Sequence, residues 1–146
     1  PGVAPAGLGA RDTLRLEMGY PLSGQDFDHT RTPLEAGQEA FVDWNKPFVG
    51  QTALEKQRAN GGYFVLAPIQ SDSRRAPRHG FDVYNADQAV GAVTSGTYGP
   101  SVGHGIGLAY LPPDLAKPGV TLTTGPRRFD IEVTELPFYN GGTCRN

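Results

Sequence analysis

A chain of 146 residues, 38% of them hydrophobic and 19% charged, has the makings of one folded domain with an extension and not of a disordered tract. Its formal net charge of −2 lacks the basic surplus of a dedicated nucleic-acid binder, and no run of about 18 apolar residues marks a membrane-spanning helix. The single cysteine, Cys144, leaves no internal disulfide and no multi-cysteine metal site, and reads as a free thiol in a reducing compartment.

The chain opens PGVAPAGLGARD, with neither an initiator Met nor a signal-peptide pattern, and reads as a piece of something longer. Two glycines then lead into charged, helix-forming residues. The pattern predicts a short helix over Asp12–Met18, with Leu14 and Met18 one turn apart on one face. Gly19 and Pro21 stop it. SGQDFDHTRTP (23–33) is dense in turn formers and predicts a loop, and AFVDW (40–44) a strand. NKPFVGQTALEKQRANGG (45–62) predicts a turn and a helix, with Thr52 as N-cap, Glu55 as its capping-box partner, and Gly61 and Gly62 as the stop.

From Tyr63 onward the pattern changes to six short β-type runs: GYFVLAPI, GFDVYN, QAVGAVTSG, GIGLAYL, VTLTT and RFDIEVTEL. They are rich in Val, Tyr, Phe, Thr and Ile, and FDIEVTEL alternates apolar with polar. NADQ (85–88) predicts a hairpin turn between the second and third runs. The expected fold is mainly β: a small antiparallel β-barrel or jelly-roll-like domain over 61–146, preceded by a helical and loop segment over 1–60, α+β overall.

Few stretches carry chemistry. GLGARD supplies two glycines of a dinucleotide fingerprint but has Asp12 at the third position, and no strand precedes it. GHGIGLAY fails on the same spacing, with Leu108 third. His29, His79 and His104 are far apart and lack common zinc spacing. Ser95, Ser101 and His104 fall within ten positions, but no G-x-S-x-G turn presents a nucleophile, and the glycines around them suit a sharply turning β-connection. Arg11 and Arg15 are four apart, on one helix face, where like charges call for a carboxylate. That carboxylate is either internal (Asp12, Glu17 or a distant acid) or belongs to a ligand. SRRAPRHG (73–80) gathers Arg74, Arg75, Arg78 and His79, the pattern either of a solvated loop or of a seat for a polyanion or an acidic partner.

Taken in order, GLGARDTLRLEMGYPLSGQD (7–26), TPLEAG (32–37), NKPFVGQTAL (45–54), VGAVTSGTYGPSVGHGIGLAYL (90–111) and PFYNGG (137–142) resemble the C-terminal part of the glycine cleavage system T-protein, an aminomethyltransferase family. The resemblance implies the end of a central folate-binding domain over 1–60 and a C-terminal barrel over 61–146. It further implies an enzyme that takes the aminomethyl group from the lipoyl arm of the H-protein. Ammonia is released, and the one-carbon unit passes to tetrahydrofolate as co-substrate. On this resemblance Arg11 faces the folate, and Arg145 matches a late arginine that returns to it. The family's catalytic aspartate and pterin-gripping glutamate fall in none of the matching segments, so no catalytic residue is assigned and the stretch alone is expected to be inactive. A bacterial member would be cytoplasmic and a eukaryotic one would lie in the mitochondrial matrix. The alternative reading is the folate-binding region of a dimethylglycine or sarcosine dehydrogenase-like oxidoreductase, which shares this architecture and has NKPFVGQTAL in similar form. A third reading is a non-enzymatic folate-binding relative that uses the same fold, whose cysteine-containing loop motif is missing from NKPFVGQ. The basic SRRAPRHG loop would then serve an acidic lipoyl carrier or the glutamate tail of folate.

Overall fold

The computed structural model describes residues 2–142. Its helices are α1 (Leu8–Glu17) and α2 (Gln51–Asn60), and its strands are β1 (Val65–Gln70), β2 (Asp82–Asn85), β3 (Gln88–Gly99), β4 (His104–Leu111), β5 (Thr121–Thr124) and β6 (Phe129–Val133). All strand pairs are antiparallel. The strands close into a barrel in the order β1-β4-β3-β2-β5-β6, so each of the six β-type runs from Tyr63 onward supplies one stave. Closure removes the unpaired sheet edges that six such short strands would otherwise expose.

The barrel interior is filled by Ala67, Ile69, Val83, Val93, Ala109, Leu111, Leu122, Ile131 and Val133. In β1 and β6 the buried residues recur at every second position, as a strand with one face toward the core requires. β4 breaks that alternation: from Gly105 to Leu111 every residue is buried. One face of it lines the barrel, while Ile106 and Leu108 pack with Leu16 of α1, with Leu66, Val102 and Phe138 against them. The helix lies across β3 and β4, which is what holds the N-terminal segment to the barrel.

Several local expectations change. Helix α1 starts earlier than its charged residues suggest, with Gly7 as N-cap, and it buries Leu16 and Glu17 while Leu14 stays exposed. AFVDW is not a strand. Glu39–Phe41 form one 3-10 turn, Phe41 is exposed, and among the described residues no strand runs beside it to complete a ladder. Thr52 is not an N-cap either: α2 begins one residue before it, after Gly50 at φ +93°. Only glycine takes that left-handed conformation without strain, so the chain turns into the helix one residue sooner. At the other end Gly61 caps α2 as expected. The NADQ turn also forms as predicted, joining β2 to β3 through Asn85 opposite Gln88.

Candidate functional site

The N-terminal segment meets the barrel at a polar knot, and a defect in β3 creates it. Val93 pairs with Ala109 and Ser95 with Leu108, which leaves Thr94 as an extra residue in a bulge. Bulges re-aim side chains, and here the Thr94 and Ser95 hydroxyls meet the N-terminal segment. Thr94 donates its hydroxyl proton to Asp26 Oδ1 at 2.6 Å. The buried Ser95 Oγ accepts from Arg15 Nη2 and from Gln25 Nε2, each at 2.9 Å.

Arg15 is the hub. Its Nε donates to Asp12 Oδ1 at 2.7 Å, and its Nη1 donates to Asp26 Oδ2 at 2.6 Å and to the Tyr20 carbonyl at 3.1 Å. Asp26 Oδ2 also accepts the Leu22 N–H at 2.8 Å, and the Tyr110 hydroxyl donates to the Asp26 carbonyl at 2.9 Å. The Asp26 side chain is 0% exposed and that of Arg15 9%. A buried carboxylate with this many donors is compensated for its lost hydration.

Two further contacts fasten the same junction. The buried Glu17 accepts from the Ser101 backbone N–H at 2.7 Å and from its hydroxyl at 2.8 Å, tying the end of α1 to the β3–β4 connection. The Arg31 guanidinium sits 4.2 Å from the centre of the Tyr110 ring and pairs with Glu35 at 3.0 Å. Burial pushes the Tyr110 phenol above its ordinary range. Burial would also raise the Glu35 carboxyl, but hydrogen bonds from Thr32 and Arg31 outweigh it and hold Glu35 below the usual glutamate value. Thr32 N–H donates to Glu35 Oε2 at 2.9 Å, and the Glu35 N–H donates back to Thr32 Oγ1 at 3.3 Å. This is the reciprocal T-x-x-E arrangement expected at Thr52 and Glu55, found instead at Thr32 and Glu35.

Of the two predicted arginines, Arg15 takes the internal partners, Asp12 and the more distant Asp26. Glu17, the third internal candidate, is held by Ser101. Arg11, one turn earlier on α1, is exposed. It makes no hydrogen bond or ion pair among the described residues. Its planar fork of donors remains available to an oxyanion or carboxylate. Arg145 and Cys144 lie outside the described residues. Ser95, Ser101 and His104 do not assemble as a nucleophile and base: the two serines serve Arg15 and Glu17, and His104 Nδ1 lies 3.2 Å from the Gly105 carbonyl. Among the described residues no three His, Cys, Asp or Glu side chains are grouped to hold a metal ion.

Asp26 is the residue that sequence reasoning missed. It sits in a turn-rich loop, where aspartate ordinarily caps local backbone. The signal for its role is the bulge in β3, which strand patterning alone does not reveal.

Two family models match the chain. Residues 64–140 match the glycine cleavage T-protein C-terminal barrel domain, and residues 1–46 match the GCVT N-terminal domain. The chain is similar to aminomethyltransferases from Nostoc sp. and Rippkaea orientalis, at 45% identity over 142 residues and 46% over 142 residues, each alignment covering 94% of this chain and 38% of the relative. A probable aminomethyltransferase from Pyrococcus furiosus is 42% identical over 151 residues. The chain thus spans about 38% of the length of these relatives. The crystal structure of the glycine cleavage system aminomethyltransferase T from Bartonella henselae superposes with a TM-score of 0.85 at 30% identity, covering 90% of this chain and 38% of that one.

Proposed function

The chain belongs to the glycine cleavage T-protein family, and on that premise we propose that it is the C-terminal part of a tetrahydrofolate-dependent aminomethyltransferase. Residues 1–60 are then the end of the central folate-binding domain and residues 61–146 the C-terminal barrel domain. The enzyme to which they belong receives an aminomethyl group from the lipoyl arm of the H-protein, releases ammonia and delivers the one-carbon unit to tetrahydrofolate.

The observation that carries this reading is the division of labour between two arginines on one helix face. Arg15 is consumed by Asp12, Asp26, Ser95 and the Tyr20 carbonyl. The knot fixes α1 against the barrel and leaves Arg11 exposed and uncommitted at the helix's first turns. A guanidinium so placed suits the anionic groups of a folate, because both oxygens of a carboxylate can engage its fork. Arg145 is proposed as a second folate contact on the resemblance alone.

We read the isolated chain as catalytically silent. The transfer needs a group that manages protons at the folate nitrogens, and no segment that matches the family supplies its catalytic aspartate. The experiment is a calorimetric titration of the chain with 5-formyltetrahydrofolate, beside Arg11→Ala. Binding weakened by the substitution supports the reading; equal binding by both removes Arg11 from the folate site. Methylenetetrahydrofolate formation by the isolated chain from H-protein and tetrahydrofolate would overturn its silence.

A further inference from the structure

Two stretches of the chain read Asn-Gly-Gly, at 60–62 and at 140–142, and the fold treats them differently. In an Asn-Gly pair the backbone nitrogen of the glycine reaches the preceding side-chain amide with least obstruction, because glycine has no Cβ in the way. The approach needs an N–H that is not engaged elsewhere and a backbone free to leave the helical region. Surroundings therefore decide which of the two pairs reacts.

Asn60 meets neither condition. It is the last residue of α2, and the Gly61 N–H donates to the Gln57 carbonyl at 3.0 Å. Attack by that nitrogen first has to break the hydrogen bond and unwind the end of the helix. The protection is that of a helix turn alone, since α2 buries no residue.

Asn140 meets both. It lies outside every helix and strand, it is exposed, and the Gly141 N–H makes no hydrogen bond among the described residues. The residues just before it are anchored. Phe138 packs against the cluster of Leu16, Ile106 and Leu108, and the Tyr139 N–H donates at 3.0 Å to the carbonyl of Glu17, the last residue of α1. Asn140 is thus the first residue past a fixed point. The Tyr139 ring lies against Gly141, where a Cβ would come within 2.6 Å of the phenol oxygen. Glycine fills that position without displacing the ring, and glycine is what makes Asn140 reactive.

We propose that Asn140–Gly141 is a self-modification site, at which the chain deamidates and loosens the segment that docks on α1. The Gly141 nitrogen gives its proton to a base in solvent and bonds to Asn140 Cγ. The bond from Cγ to the side-chain nitrogen breaks, and that nitrogen takes a proton from solvent and leaves as ammonia. Water then opens the cyclic imide at either carbonyl, giving aspartate or isoaspartate; water is the only co-reactant consumed. Either product sets a carboxylate one residue beyond the contact with the C-terminal end of α1, whose last carbonyls carry partial negative charge, so the tail is held less firmly. Isoaspartate also adds a methylene to the main chain. The site involves neither Arg11 nor the folate reading.

The test is peptide mapping by mass spectrometry of the chain held in neutral and in mildly alkaline buffer, with and without urea. In the native chain Asn140 converts first, to a mixture of aspartate and isoaspartate, and faster in the alkaline buffer. Asn60 converts at least roughly threefold more slowly, the factor that one helical hydrogen bond supports. Urea removes the difference, because both pairs are Asn-Gly-Gly. Asn140→Gln, at an exposed position, abolishes the first conversion and leaves that of Asn60. Asn140→Asp carries the charge of the product and speeds hydrogen exchange at the Tyr139 amide by roughly two- to fivefold. Conversion of Asn60 as fast as Asn140 in the native chain, no conversion at Asn140, or unchanged Tyr139 exchange in Asn140→Asp each overturns the proposal.

Discussion

The guanidinium of Arg15 and the carboxylate of Asp26 meet at 2.6 Å in the junction between helix and barrel, both nearly or fully out of water. Neither residue lies in the barrel, yet the pair reaches it through Ser95 and Thr94, which the β3 bulge turns toward the N-terminal segment. The joint between the two halves of the chain is therefore polar, with Leu16 as its apolar companion.

Removing one partner of such a pair strands the other as a buried charge. Asp26→Ala should cost about 3–5 kcal/mol of unfolding free energy, measured by urea denaturation. Arg15→Met combined with Asp26→Leu should lose less than the sum of the single changes, with a coupling of about 0.5–3 kcal/mol. Strict additivity would show that the two side chains do not support each other.

The glycines of β3 and β4 make a second prediction. Gly96→Ala and Gly105→Ala drive a methyl into the Pro77 and Arg75 carbonyls, and each should destabilise by about 1–3 kcal/mol or more. Gly9→Ala is the control. It lies inside α1 with open space where its Cβ would go, so it should stabilise by about 0.5–1 kcal/mol. If all three behave alike in thermal melts, the close approach of loop and sheet is wrong.

These positions also show what the sequence discloses and what it withholds. Runs such as RFDIEVTEL announce strands because alternation is a local consequence of one buried face. The glycines of TSGTYGPSVGHGIG look like turn residues, but Gly96, Gly105 and Gly107 sit inside strands and make room for a loop some twenty or thirty residues upstream. No local pattern encodes that contact. For Arg15 the spacing signals a demand for carboxylate that Asp12 meets locally, yet its second supplier, Asp26, is delivered by tertiary structure. AFVDW fails for the opposite reason: its residues favour a strand, but among the described residues no neighbouring strand offers them a ladder.

Glu35 sets an acid limit on the junction. Its carboxyl is held below the ordinary value of 4.5, so the charged form is favoured in the folded state. A lowered folded-state value contributes stability that is present above the unfolded value and lost as pH falls through the folded one. Urea midpoints should therefore fall as pH drops below about 4.5, and Glu35→Gln should flatten part of that slope. Asp28, held low chiefly by the Thr30 hydroxyl, titrates in both proteins and keeps the slope from vanishing. An unchanged slope in Glu35→Gln would mean that Thr32 and Arg31 do not select the ionised form.

The last prediction separates the two helix arginines by what each loses. Arg15→Ala deprives Asp12, Asp26 and Ser95 of their shared donor, so it should destabilise by about 3–5 kcal/mol. Arg11→Ala removes an exposed group with no internal partner among the described residues, so its unfolding free energy should change by no more than about 0.5 kcal/mol. In an intact enzyme of this family carrying this segment, Arg11→Ala should instead weaken the tetrahydrofolate interaction roughly tenfold, the order of one charge-assisted contact. Arg11→Lys keeps the charge but not the fork, and should recover only part of that loss. Steady-state kinetics alongside urea denaturation give both readouts on the same proteins. If Arg11→Ala lowers stability as far as Arg15→Ala does, the residue is another strut of the junction; if it moves only the folate response, the same helix face holds the fold with one arginine and a ligand with the other.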